Sequence, residues 1–248
     1  MTTALVDVTT PDGAADACLA RPERPGSHPG VLLIMDAFGL RPQIEEMADR
    51  IAARGFVVLA PNVFYRSGRA PLFSLDGLDD PERRSEVIGR IMPLARELTP
   101  ERVTSDGAAY LDRLQSESDG NPVAITGYCM GGRIGWRIAA ANPERVAALA
   151  GFHTGGLVTD GPDSPHLSAS AISGELYFGF ADNDQSATPD QVATLERALD
   201  EAGLDYRSEI YEGAAHGYTM ADTPAYSEPA AERHYAELFA LLNRTISV

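Results

Sequence analysis

Gly127-Tyr128-Cys129-Met130-Gly131-Gly132 is the stretch of this chain best equipped for chemistry. It follows a short apolar run, Pro122-Val123-Ala124-Ile125-Thr126, and precedes a helical pattern through Ile134, Ile138 and Ala139. A strand, a tight turn with a reactive atom at its apex and then a helix make up the nucleophile-elbow layout, here with cysteine where serine usually stands. Small residues on either side let the backbone turn sharply and project the apex side chain out of a sheet. The turn also sets the sulfur at a helix N-terminus, where the dipole favours a thiolate. It aims the N–H of Met130 toward the place where an oxyanion would form. A Gly-x-Cys-x-Gly string alone equally describes a small buried hydrophobe. The strand before it and the helix after it select the nucleophile reading.

A thiol nucleophile needs a base, and the base needs a group to orient it. Five histidines are available. His28 falls in a Pro-Gly-Ser-His-Pro turn, His166 in a polar loop and His234 on the last helical segment, and all three read as solvated or packed imidazoles. His153 ends a strand and is a candidate substrate contact. His216 stands in Gly213-Ala214-Ala215-His216-Gly217-Tyr218, a loop of small residues directly after the last strand. That is the third place in the order nucleophile, acid, histidine. For the acid, the strand ending at Ala181 runs into Asp182-Asn183-Asp184. Catalytic groups in parallel sheets gather at the carboxyl ends of strands, so either aspartate could face His216 while the other caps the turn.

The elements that must position these groups are legible as alternating strands and helices. A hairpin opens the chain, Ala4 to Val8 and Ala15 to Ala20 around Pro11-Asp12-Gly13, with Cys18 a structural residue on its second strand. Val31 to Met35 and Phe56 to Ala60 are continuous apolar runs of the kind covered on both faces of a sheet, the second ended by Pro61. Between them lies a helix with Pro42 in its first turn and Ile44, Met47 and Ile51 on one stripe. Residues 62 to 80 read as an irregular connection and a candidate cap. Helices are expected at about 81 to 97 and 100 to 116. Strands follow at Val146 to Phe152, Glu175 to Ala181 and Tyr206 to Tyr211, with a long loop over residues 154 to 173. Thr188-Pro189-Asp190-Gln191 is a capping box for another helix, and a final helix carries Tyr235, Leu238 and Leu242. The pattern implies a mostly parallel, doubly wound α/β sheet with an antiparallel N-terminal hairpin, in one domain over residues 1 to 248.

Composition narrows the partners. A formal charge of −16, from 36 acidic against 20 basic residues, argues against nucleic acid and against an anionic membrane surface. Met1 to Gly13 reads as a polar strand and turn rather than a targeting leader, and no apolar run has transmembrane length. The two cysteines, Cys18 and Cys129, cannot build a disulfide framework. A soluble cytoplasmic protein, monomer or homodimer, is the expectation. No metal-binding motif is present, and neither a metal nor another cofactor is expected.

The chain resembles the dienelactone hydrolase family over most of its length. The resemblance rests on Ile34-Met35-Asp36-Ala37-Phe38-Gly39, on Ala60-Pro61-Asn62-Val63-Phe64-Tyr65 and on the cysteine elbow. Ala181-Asp182-Asn183-Asp184 and Tyr211-Glu212-Gly213-Ala214-Ala215-His216-Gly217 complete it. It implies an α/β-hydrolase fold, hydrolysis of an ester or lactone, and a triad of Cys129, Asp184 and His216. Asp184 is preferred because the family acid tends to precede a hydrophobic residue by three positions, here Ala187. The N–H groups of Ala37 and Met130 would form the oxyanion hole. Asp36, Phe38, Tyr65, Tyr128 and His153 would bind substrate or modulate the thiol. Two departures stand out. Asp36 occupies the place of a glutamate that interacts with the nucleophile, and Gly217-Tyr218-Thr219-Met220-Ala221 lacks an arginine used to hold a substrate carboxylate. A neutral or differently charged ester or lactone thus stands beside a dienelactone as the expected substrate. The rival reading is a weakly active or non-catalytic protein of the same fold that binds a small ligand.

Overall fold

The computed structural model describes residues 2–246. Among these the strands are β1 (Thr2–Thr10), β2 (Gly13–Arg21), β3 (Gly30–Ile34), β4 (Val57–Pro61), β5 (Val123–Tyr128), β6 (Val146–Phe152), β7 (Glu175–Ala181) and β8 (Tyr206–Tyr211). The α-helices are α1 (Pro42–Ala52), α2 (Pro81–Glu97), α3 (Pro100–Glu117), α4 (Met130–Ala141), α5 (Pro189–Ala202) and α6 (Glu228–Thr245). The strands form one sheet in the order β1-β2-β4-β3-β5-β6-β7-β8. β1, β2 and β4 pair antiparallel, and every pair from β4 through β3 to β8 is parallel. This is the mostly parallel, hairpin-led α/β sheet that the alternation of elements implies.

Chemistry explains the layering. β3, β4 and β5 are buried at every position, because helices cover both of their faces. α3 and α4 pack together on one side. α1 and α6 meet on the other, where Arg50 pairs with Glu232 and lies over the Tyr235 ring. Within the core Tyr128 stacks on Phe152, and the His234 ring meets Phe152 edge-on. α5 starts on the expected capping box, with Thr188 and Gln191 bonding each other's backbone N–H groups.

One local expectation holds and another needs correction. Pro61 is the last residue of β4, where it lies opposite Ala17 of β2. It can do so because β3 pairs with β4 only as far as Leu59, so the missing N–H of Pro61 breaks no ladder on that side. The 154–173 loop is more ordered than its Gly, Ser and Pro content suggests. Residues Pro165–Ala171 form 3₁₀ turns, tied to α4 by a hydrogen bond of 3.0 Å from Trp136 Nε1 to Ser168 Oγ.

The closest packing in the sheet lies where α4 begins. A Cβ on Gly131 would fall inside the carbonyl oxygens of Ile34 and Met35, at the end of β3. One on Gly127 would strike the backbone of Gly131 and Gly132. Gly89 in α2 has no atom near its hypothetical Cβ. Gly131→Ala should therefore cost at least about 1–3 kcal/mol through backbone overlap, whereas Gly89→Ala should stabilise by about 0.5–1 kcal/mol through helix propensity. Urea midpoints of the two variants check the contrast, and equal midpoints would contradict it.

Candidate active site

The candidate residues lie at or just after the carboxyl ends of six strands, β3 to β8, the rim where doubly wound sheets assemble their sites. Cys129 is the single residue between β5 and α4, with φ 55° and ψ −118°, a backbone that an L-residue adopts only under constraint. Its N–H donates to the carbonyl of Phe152 at 3.1 Å, and its own carbonyl accepts from Gly132 at 3.3 Å. The elbow is thereby pinned between β6 and its own helix. Met130 opens α4, so its N–H belongs to the first-turn donors that have no intrahelical acceptor. Gly131 packs the start of this helix against the carbonyls of Ile34 and Met35, just before Asp36.

His216 reaches the sulfur from the loop after β8. Its Nε2 lies 3.0 Å from Cys129 Sγ, and its Nδ1 donates to Asp184 Oδ2 at 2.6 Å. The other oxygen of Asp184 accepts from the Ser186 N–H at 2.8 Å and from the Ser186 hydroxyl at 2.7 Å. Asp182 has a different task. Its Oδ2 accepts from the Gly213 N–H at 3.0 Å, which fastens the β7 turn to the loop that carries His216. Of the two aspartates, Asp184 is the one that meets the imidazole.

Burial by itself would depress the His216 value, but Asp184 and Cys129 outweigh it and push the imidazole up to about 10. Burial likewise works against the Asp184 carboxylate, yet the hydrogen bonds from His216 and Ser186 hold it down at about 2. Carboxylate and imidazolium thus stabilise each other, and the imidazole is oriented with Nε2 toward the sulfur. His153 lies against this pair, its ring 5.2 Å from that of His216. Fully buried, it is held well below its ordinary value by desolvation and by the neighbouring histidines, so it stays neutral. Its Nε2 meets the Thr219 hydroxyl at 2.8 Å.

A cavity of about 670 Å³ opens over Cys129, within the usual range for small-molecule sites. Asp36, Ala37 and Phe38 line one part of it, and His153 and His216 another. Leu78, Arg84, Ile88, Ile91 and Met92 contribute a wall from α2 and the turn before it, opposite chain segments that include Met220 and Pro224. Of residues 62–80, Leu78 alone lines the cavity, so the covering element is α2 rather than the irregular connection. Arg84 is the one lysine or arginine in this lining, and its Nε donates to the Leu78 carbonyl at 2.9 Å.

Three expected contacts differ. Tyr128 is fully buried beneath the elbow, its hydroxyl 3.2 Å from His234 Nε2, because alternation along β5 turns it away from the rim. Tyr65 lies outside the cavity lining, and its hydroxyl accepts from Thr10 at 2.7 Å and donates to Asp106 at 3.0 Å. Asp36 lines the cavity, but both of its oxygens face Arg41, at 2.6 and 3.1 Å, and Oδ1 also accepts from the Phe38 N–H at 3.0 Å. Its charge is committed to Arg41 instead of the thiol. Arg41 in turn holds Asp222 at 2.6 and 3.0 Å, so one buried guanidinium ties the loop of Ala37 to the loop that follows His216. Desolvation opposes the charge on Arg41, but the two carboxylates raise its value above the ordinary one.

Sequence reasoning missed Arg41, Arg84 and Ser186. Arg41 did leave a signal: it occupies the N-cap of α1 just before Pro42, where a cation opposes the helix dipole and calls for a nearby anion. Ser186 follows Asp184 at the spacing of an Asx turn. Arg84 left none.

Comparison with known proteins gives a consistent picture. The family model described as "Dienelactone hydrolase family" matches residues 15–246. The "Putative carboxymethylenebutenolidase" of Salmonella typhi is 27% identical over 249 residues, covering 91% of this chain and 86% of that protein. Among solved structures, a "Putative Dienelactone Hydrolase" from Klebsiella pneumoniae superposes with a TM-score of 0.82 at 22% identity, covering 98% of both chains. The dienelactone hydrolase-like promiscuous phosphotriesterase P91, from metagenomic libraries, gives 0.78 at 22% identity, again over 98% of both chains. At these identities the structures speak for the fold.

Two predictions follow from the electrostatics. Arg41→Gln leaves the Asp36 carboxylate buried without its cation, at a cost of about 3–5 kcal/mol. Asp36→Asn combined with Arg41→Gln should cost less than the two single variants added together, as read by chemical denaturation. For pH, the folded value of His216 lies above its ordinary 6.5 and that of Asp184 below its ordinary 3.8. The His216 contribution is whole below pH 6.5 and is lost as pH rises through about 10. The Asp184 contribution is whole above pH 3.8 and is lost as pH falls through about 2. The stability gap between the native chain and His216→Gln should be widest between pH 3.8 and 6.5 and should narrow toward pH 10. A gap that widens with alkalinity would contradict this.

Proposed function

The chain belongs to the dienelactone hydrolase family, and from that premise we propose that it cleaves a carboxylic ester or lactone with Cys129 as nucleophile, His216 as proton carrier and Asp184 as the carboxylate that orients the imidazole. The observation that carries this reading is the relay itself: sulfur to Nε2 at 3.0 Å, and Nδ1 to carboxylate at 2.6 Å. Three side chains far apart in the polymer meet at hydrogen-bonding distance beside a cavity of substrate size.

The steps balance as acyl transfer to water. With the shared proton resting on His216 Nε2, the Cys129 thiolate forms a C–S bond with the carbonyl carbon. The carbonyl π pair moves onto oxygen, which the N–H groups of Ala37 and Met130 stabilise. Among the described residues the Ala37 N–H has no protein acceptor of its own, and each such donor is typically worth about 3 kcal/mol. The oxyanion collapses, the C–O bond to the leaving group breaks, and the imidazolium proton passes to the departing oxygen. His216 then takes a proton from water, and hydroxide attacks the thioester. The second collapse breaks the C–S bond, leaves the thiolate beside the imidazolium and releases the acid. A thiolate is itself easily expelled from the first tetrahedral intermediate, so substrates with good leaving groups, such as enol lactones, suit cysteine better than amides do.

The walls bear on substrate charge. Residues 217–221 carry no arginine, Arg41 is saturated by Asp36 and Asp222, and the one arginine in the lining, Arg84, stands on α2 with its Nε on the Leu78 carbonyl. With aliphatic side chains over much of the remaining surface, these features support an uncharged ester or lactone.

Cys129→Ala, assayed with p-nitrophenyl acetate and with enol lactones, should lose at least about 10³-fold in kcat. Undiminished turnover by that variant would end the proposal. Iodoacetamide gives an independent measurement. Cys18 is fully buried, and desolvation, with help from Glu45 and Asp49, pushes its thiol up to about 12. Labelling should therefore fall on Cys129 and track the loss of activity. Equal labelling of both cysteines in the native state would favour a binding role.

A further inference from the structure

α2 carries an anomaly that catalysis by the three rim residues does not use. Ile88 and Met92 lie one helical turn apart and are each 43% exposed, on a helix whose outer residues are otherwise mostly polar. Large aliphatic side chains left in water singly are ordinary, but these two share a helix face beside the reactive cavity. With buried Ile91 and Leu78 they form an aliphatic wall in the same cavity as the sulfur, bordered one turn earlier by Arg84, whose Nε donates to the Leu78 carbonyl.

We propose that this wall is a subsite for an aliphatic acyl chain, so that the chain hydrolyses esters or lactones whose acyl part carries several methylenes. The proposal rests on Cys129 acting as the nucleophile. The leaving oxygen must come within reach of His216 Nε2 to take its proton, so the part of the cavity built on the His216 loop receives the leaving group. The part built on α2 receives the acyl group. Covering Ile88 and Met92 with a substrate chain removes from water just the aliphatic surface that the free protein leaves exposed. The acyl chain stays on sulfur through the thioester stage, so the contact operates in both chemical steps.

The experiment is a p-nitrophenyl ester series with acetyl, butanoyl and hexanoyl groups, each kept below its aggregation concentration. In the native chain kcat/KM should rise along the series, with a ceiling of about fourfold for each fully buried methylene. In Ile88→Ser/Met92→Ser the ratio of hexanoate to acetate should fall at least about tenfold, since each lost apolar contact is worth that order in kcat/KM. Both positions are half open, so the double variant removes little core. Leu167→Ser, at a more exposed leucine outside the cavity, should keep the native ratio. A flat or falling series in the native chain, with turnover still dependent on Cys129, would overturn the acyl subsite and leave the nucleophile standing. Turnover independent of Cys129 would instead remove the nucleophile on which it rests. An unchanged ratio in the double variant together with a lower native mass would assign the two side chains to contact between copies. Faster hydrolysis of an ω-carboxylate acyl ester than of its alkyl counterpart would also overturn the proposal.

Discussion

The site depends first on how closely the first turn of α4 approaches the ends of β3 and β5. Gly127 and Gly131 leave no room for a Cβ between them and the neighbouring backbone, and that contact sets how sharply the chain turns at Cys129. Three consequences follow from one packing constraint. Cys129 takes the positive φ of the turn, Met130 opens α4 with an N–H that has no intrahelical acceptor, and the chain just before Asp36 is packed against the start of that helix. The positive φ of Cys129 is the local cost of this geometry, held in place by the hydrogen bond to Phe152 and by the packing on either side. A preorganised donor beside a preorganised nucleophile needs little rearrangement when charge develops.

Electrostatics then divides two acidic residues of the rim into different tasks. Asp184 and Asp36 each sit at the end of a buried strand and each meet a cationic partner. Asp184 meets an imidazole whose far nitrogen faces the sulfur, so its charge is transmitted to the reacting atoms. Asp36 meets a guanidinium with no proton to yield at ordinary pH, so its charge ends there. Arg41 spends its remaining donors on Asp222 and on the Gly39 carbonyl, which makes it a brace between two loops instead of a receptor for an anion. Asp36 and Arg41 thus form one local unit, with both carboxylate oxygens on the guanidinium.

Legibility in the sequence followed the range of the interactions. The strands, the helices, the elbow and the capping box of α5 arise from residues within one element or one turn, and the hydrophobic pattern exposes them. The place of Asp184 and His216 at strand ends was legible for the same reason. Features set by partners distant in the chain were not. Tyr65 and Tyr128 share a motif with site residues, yet Thr10, Asp106 and His234 decide where their hydroxyls go. The contact of Arg41 with Asp222 spans most of the chain, and only the misplaced cation at a helix start hinted that something must neutralise it.

The same distinction separates reaction from selectivity in this molecule. The residues proposed to make and break bonds are fixed by backbone geometry at the sheet rim, where a displacement of one ångström would disable them. The wall formed by α2 obeys no such constraint. Its residues need only present aliphatic surface, so their identities can change without disturbing the turn at Cys129 or the carboxylate–imidazole pair. α2 is joined to the sheet through an irregular connection and packs few of its own side chains into the core, chiefly Val87 and Ile91. On the proposed acyl subsite, an element attached so lightly changes which acyl group is held while the rim keeps the same geometry.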